Sequence, residues 1–112
     1  MAYQEERLIS YLKREMANFL LRHAVMPEGA FFSVARIYLN SSLDEAKVFI
    51  LIFPENLTGV AFREIKALER KARKYLSMHL KRRKIPKIIF KLDNDQEKEI
   101  SLEKLLEKVK NE

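Results

Sequence analysis

Residues 80–93 read LKRRKIPKIIFKLD, and their interpretation decides the fold. Four consecutive cations, Lys81, Arg82, Arg83 and Lys84, run into Pro86. A proline disfavours helix at the residue before it and has no N–H to give to a β-ladder. Pro86 therefore suits the mouth of a strand, and the apolar run KIIFKL (87–92) is that strand. A helix must end upstream of the proline. The densest charge in the chain is then the junction between that helix and a buried strand.

Working upstream, residues 58–81 predict one long helix. Phe62, Ile65, Leu68, Ala72, Tyr75, Leu76 and Leu80 keep helical spacing, and Thr58 suits an N-cap. Arg63, Lys66, Arg70, Lys71, Arg73 and Lys74 interleave with this stripe and must cover the outer face, because an unpaired buried charge is expensive. Pro54 and ENLTG separate this helix from AKVFILIF (46–53), a strand apolar at nearly every position and so either central or covered on both faces. FFSVARIYL (31–39) is a second aromatic and β-branched strand. The short polar connection NSSLDE (40–45) makes the two an antiparallel hairpin. Residues 3–23 predict an opening helix with the stripe Leu8, Ile9, Leu12, Met16, Phe19, Leu20 and His23, ended by Pro27 and Gly29.

Downstream, DNDQEKE is a polar loop, and Ser101 can cap a short final helix whose stripe is Leu102, Leu105, Leu106 and Val109. The order read from the residues is α-β-β-α-β-α, a small α+β domain with a three-stranded sheet and helices on one face.

Composition narrows the function. The chain has 112 residues, which suits a single domain, and only two glycines and three prolines, which argues against disorder. It has no cysteine, which removes disulfides, thiolate nucleophiles and cysteine zinc sites and fits a reducing cytosol. Charge from residue 5 onward does not resemble a signal peptide, and the longest apolar run, VFILIF (48–53), is far too short to cross a bilayer.

The net charge of +6 is unevenly placed. Residues 1–62 carry six Lys/Arg and seven Asp/Glu; residues 63–92 carry twelve and two; residues 93–112 carry four and seven. A concentrated basic segment points to a polyanion. Its outer helix face is nearly all one sign, with few acidic partners for i,i+4 pairs, and like charges at that spacing cost stability. Arg70, Lys71, Arg73 and Lys74 on the helix are contiguous with Lys81, Arg82, Arg83 and Lys84. Together they form a candidate phosphate track. Arg36 and Lys47 are secondary candidates.

Catalysis finds little support. His23 and His79 are the two histidines, each at the apolar edge of a helix, and no nucleophile or metal cluster converges with them. Asp93-Asn94-Asp95 lacks the spacing of a calcium loop, and Gly29 and Gly59 stand alone, without a phosphate-cradling loop. No enzyme, no cofactor and no metal is expected.

Three stretches resemble the ribosome-binding factor A family, and the likeness covers nearly the whole chain. RLISYLKREMANFLL (7–21) is similar to that family's first helix. LNSSLDEAKVFI (39–50) is similar to its most distinctive stretch, a Ser and an Asp before Ala-x-Val-aromatic. LKRRKIPKIIFKLD (80–93) is similar to its basic run, proline and strand. The resemblance implies a single KH-like RNA-binding domain over residues 1–112, of the second topological type, α-β-β-α-α-β, with residues 93–112 as acidic loop and short C-terminal helix.

In such domains the last two helices meet at a kink with an Ala-x-Gly type motif on the nucleic-acid face. An ungapped register from Pro86 puts the kink at Leu68, Glu69 and Arg70; a one-turn deletion puts it at Ala72, Arg73 and Lys74. Neither stretch holds a glycine, and periodicity alone gives an unbroken helix.

The resemblance further implies binding to the immature small (30S) ribosomal subunit and its 16S rRNA near the decoding region, in a late maturation step. It also implies a link to growth in the cold and a GTPase associated with release. Such a protein would be a cytoplasmic, membrane-free monomer. Two other readings stay open: a general basic RNA- or DNA-binding module, and an interaction module for an acidic protein.

Overall fold

A computed structural model describes residues 2–93. The short helix expected from Ser101, and the rest of 94–112, lie outside the described residues. The elements are α1 (Ala2–His23), β1 (Phe31–Leu39), β2 (Glu45–Phe53), α2 (Thr58–Lys66), α3 (Glu69–His79) and β3 (Lys87–Leu92). The sheet order is β1-β2-β3, so the most apolar strand is central, as its sequence requires. β1 and β2 form the antiparallel hairpin; β3 joins β2 in parallel, with Val48 opposite Phe90.

One face of the sheet is core. Ala46, Val48, Ile50 and Ile52 of β2 are fully buried, as are Ile88 and Phe90 of β3 to within 1%. On β1 the alternation changes phase. Phe32 and Val34 pack on the core side, but so do Ile37 and Leu39. The register slips between Val34 and Arg36, a bulge at Ala35. Without that extra residue Arg36 would point into the core; with it the guanidinium lies on the outer face.

Leu12, Met16, Phe19 and Leu20 of α1, Ala61 and Ile65 of α2, and Ala72 and Leu76 of α3 close the core from the helix side. Truncating a fully enclosed ring such as Phe90 to Ala removes about 3–5 kcal/mol.

Two details differ from expectation. The helix expected over 58–81 is interrupted at Ala67–Leu68 and ends at His79. The Leu68 N–H donates to Ile65 O at 3.0 Å, a tightened three-residue step, and α3 restarts with Ala72 N–H donating to Leu68 O at 2.8 Å. The core stripe 61, 65, 68, 72, 76 keeps its three- and four-residue rhythm across this step, which is why periodicity conceals it. Thr58 is not an N-cap but the first residue of α2, preceded by a 3-10 turn over Glu55–Leu57. Its buried hydroxyl donates back to Pro54 O at 3.3 Å and sits 3.5 Å from Ile52 O.

Candidate nucleic-acid interface

The break between α2 and α3 places the site. Ala67 has φ −65° and ψ −14°, and Leu68 has φ −93° and ψ 4°. Both are negative φ values open to any residue, so this turn needs no glycine. It falls one residue before the register at Leu68–Arg70, with Ala67-Leu68-Glu69 at the step, and five before the alternative at Ala72–Lys74, which lies inside α3.

A side-chain brace holds it. Glu69 Oε2 accepts the Phe90 N–H at 2.7 Å and the Lys66 Nζ at 2.8 Å; Lys66 Nζ also donates to Phe90 O at 3.1 Å. Phe90 lies on an edge strand, and Phe90 N–H and C=O point away from β2. The Lys66–Glu69 pair therefore satisfies backbone groups that no strand pairs, and fixes the helix step against β3.

From this step α3 directs Arg70, Lys71, Arg73, Lys74 and Ser77 outward. The chain leaving α3 then folds back over that face. Arg73 Nη2 donates to Ile85 O at 3.1 Å, and Lys84 forms an ion pair with Asp44 in the β1–β2 turn. Lys84 Nζ also reaches Ser42 O at 3.4 Å. The turn is preformed: Asn40 Oδ1 accepts the N–H groups of Asp44 and Glu45 at 2.8 and 3.0 Å, and Ser42 Oγ donates to Asp44 Oδ2 at 2.6 Å. The Lys84 ammonium and the Ser42 hydroxyl hold the Asp44 carboxyl below its ordinary value.

The result is an open groove of about 450 Å³ lined by Arg70, Arg73, Lys74, Ser77, Arg83 and Ile85. Four of the eight expected contacts thus converge. Lys71 on α3 and Lys81 and Arg82 on the connection are exposed beside the groove without lining it. Lys84 is a tether to the hairpin. Arg36 and Lys47 lie on the opposite face of the sheet, over Phe49 at 3.8 Å and Tyr38 at 5.9 Å respectively, and are not continuous with the groove.

The histidines serve locally. His79 stacks on Tyr75 with ring centroids 4.1 Å apart, and its carbonyl accepts the Tyr11 hydroxyl at 3.1 Å. His23 lies 4.7 Å from the Phe19 ring. Among the described residues no cluster of His, Asp or Glu could hold a metal, and no helix is long and apolar enough to cross a membrane.

Two parts of the site are not visible in the sequence pattern. Asp44 tethers a cation forty positions away, a partnership no local spacing reveals. Glu6, Arg7, Ser10, Tyr11 and Arg14 line a second open groove on α1, joined to the end of α3 by the Tyr11–His79 hydrogen bond. In the sequence Arg7 and Arg14 are only cations off the apolar stripe.

The α-β-β-α-α-β order with its three-stranded sheet is shared with known proteins. The model of the ribosome-binding factor A family matches residues 4–106. The chain belongs to this family. A ribosome-binding factor A from Thermomicrobium roseum is 32% identical over 114 residues, covering 99% of this chain and 87% of the relative.

The crystal structure of ribosome-binding factor A from Thermus thermophilus superposes with a TM-score of 0.65 at 20% identity, over 78% of this chain and 92% of that one. A Thermus thermophilus homology model fitted into a cryo-EM map of a complex with the 30S subunit gives 0.61 at 21% identity, over 74% and 88%. The fold is thus the KH-like fold of ribosome-binding factor A. Its helix step is made here without glycine.

Proposed function

We propose that this member of the ribosome-binding factor A family binds the immature small (30S) subunit through 16S rRNA and assists a late step of its maturation. The observation that carries the reading is the convergence of Arg70, Arg73, Lys74 and Arg83 on one groove. Four cations held together without a carboxylate among the lining residues repel one another, and a phosphate backbone relieves that repulsion. Such contacts supply affinity and orientation but little base readout. RNA shape at a particular ribosomal surface supplies specificity. Lys71, Lys81 and Arg82 extend the track, and Lys84 holds it in place. The name of the family and the 30S complex of the Thermus thermophilus relative support this target. The role is binding by a cytoplasmic monomer, without catalysis or cofactor, and release would fall to a ribosome-associated GTPase.

Sedimentation tests the reading. Wild-type protein should travel with free small subunits on a sucrose gradient. The variant Arg70→Ala/Arg73→Ala/Arg83→Ala should remain at the top while keeping a native circular dichroism spectrum. A folded variant that still co-sediments would overturn the groove as the interface. Wild-type protein spread over all nucleic acid would indicate a general binder. An association surviving nuclease would indicate an acidic protein partner.

A further inference from the structure

The groove on α1 adjoins the α3 groove at the end of α3. α1 and α3 pack antiparallel. The Tyr11 hydroxyl donates to His79 O at 3.1 Å, and four residues further along α1 Glu15 accepts the Tyr75 hydroxyl at 3.0 Å. α1 has 22 residues and α3 has 11, so they are about 33 Å and about 17 Å long. α3 therefore ends level with Tyr11, and the first turns of α1 run on past it. Arg7, Tyr11 and Arg14 stand at i, i+4 and i+7, on one face of this end of α1. With Glu6 and Ser10 they line an open groove of about 620 Å³. Both arginines are exposed, and the Arg14 guanidinium lies 5.7 Å from the centroid of the half-buried Tyr11 ring.

The end of α3 belongs to both grooves. Ser77 and Arg83 line the first, and His79, between them in the chain, anchors the second. Lys81 and Arg82 follow His79, both exposed, where Arg82 N–H donates back to Leu80 O at 3.0 Å. These two cations line neither groove and stand at the junction of the two.

We propose that the α1 groove is a second RNA site, taking the strand that leaves the α3 groove over Lys81 and Arg82. Arg7 and Arg14 would meet its phosphates. The proposal rests on the RNA reading of the α3 groove and adds a longer single-stranded segment to it. Placement selects the occupant. Two arginines and Glu6 give this groove a net charge of only +1, too little to gather a polyanion unaided, but it continues a track that is already basic. Its mixed lining suits a strand whose phosphates are spaced by sugars and bases. Glu6, Ser10 and Tyr11 offer a carboxylate, a hydroxyl and a ring to the ribose hydroxyls and base faces between phosphates.

Fluorescence anisotropy with oligouridylates of about four and about twelve nucleotides separates the two grooves. Wild-type affinity should rise with length. Arg7→Gln/Arg14→Gln removes two charges with little change in helix propensity. It should bind the short probe like wild type, because the α3 groove holds it. On the long probe it should lose affinity several-fold, with a salt slope flatter by about 1.4. Arg36→Gln/Lys47→Gln removes equal charge from the other face of the sheet and should leave both probes unaffected. A double variant equal to wild type on the long probe would overturn the second site. The α3 groove would still stand if Arg70→Ala/Arg73→Ala/Arg83→Ala lost both probes. Wild-type affinity that does not rise with length overturns the second site as well. So do equal losses on both probes, or the same loss from the control pair, since RNA would then sense net charge. If the triple variant binds both probes as wild type does, the RNA reading of the α3 groove fails and the second site falls with it.

Discussion

Glu69 opens α3 at the helix step, and it does something glycine cannot. Its carboxylate accepts a backbone N–H from an edge strand while pairing with Lys66. Removing it in Glu69→Ala leaves the Phe90 N–H without that acceptor. A hydrogen bond to a charged group is worth about 1.5–3 kcal/mol, and denaturant unfolding should show a loss in that range. The Phe90 amide should also exchange faster than in wild type. Unchanged exchange would mean that the brace is not what protects it. Lys66→Ala should cost less, because the ammonium is half exposed and its pairing is screened by water.

Asp44 gives a pH-dependent counterpart at the same scale. Its folded value is lowered by Lys84 and Ser42, so its contribution is present above the ordinary carboxylate pKa of about 3.9 and is lost as pH falls through the folded value. An NMR titration should place the Asp44 midpoint below that of an ordinary aspartate. In Lys84→Met the midpoint should move upward.

At the scale of elements, the basic connection between α3 and β3 works because it is fastened twice near β3, once to the helix and once to the hairpin. Arg73 holds it at Ile85, and Asp44 holds it at Lys84. Asp44→Asn separates geometry from charge. The substitution makes the protein more basic, so electrostatics alone predicts tighter RNA binding. Loss of the tether predicts weaker binding, because the connection must then be ordered on association. We expect subunit affinity to fall several-fold, read by filter binding at fixed salt. Tighter binding would show that the tether is not needed.

The two fastenings also show what was legible in the sequence. Pro86 and the strand after it, the hairpin, and the concentration of charge all follow from local rules. The helix step at Ala67–Leu68 does not, because a three-residue hydrogen bond keeps the apolar stripe in phase. Nor does the division of the cations into groove-lining and tethered. Lys84 and Arg83 are neighbours of the same charge, and only the fold of a distant hairpin distinguishes them.

The described residues form two layers with different surfaces, and this sets the sharpest test of binding. The groove cations stand on the helical layer; Arg36 and Lys47 stand on the sheet, each over an aromatic ring. Salt dependence counts phosphates: the logarithm of affinity falls with the logarithm of salt by about 0.7 per phosphate neutralised on single strands. Replacing Arg70, Arg73, Lys74 and Arg83 with Ala should therefore flatten the slope for RNA by about 3 if each meets one phosphate. Arg36→Ala and Lys47→Ala should leave the slope unchanged, although they remove charge from the same small domain. That contrast distinguishes contact from net charge. If all six substitutions flattened the slope alike, RNA would be sensing the overall field of the protein, and the groove would have no special claim.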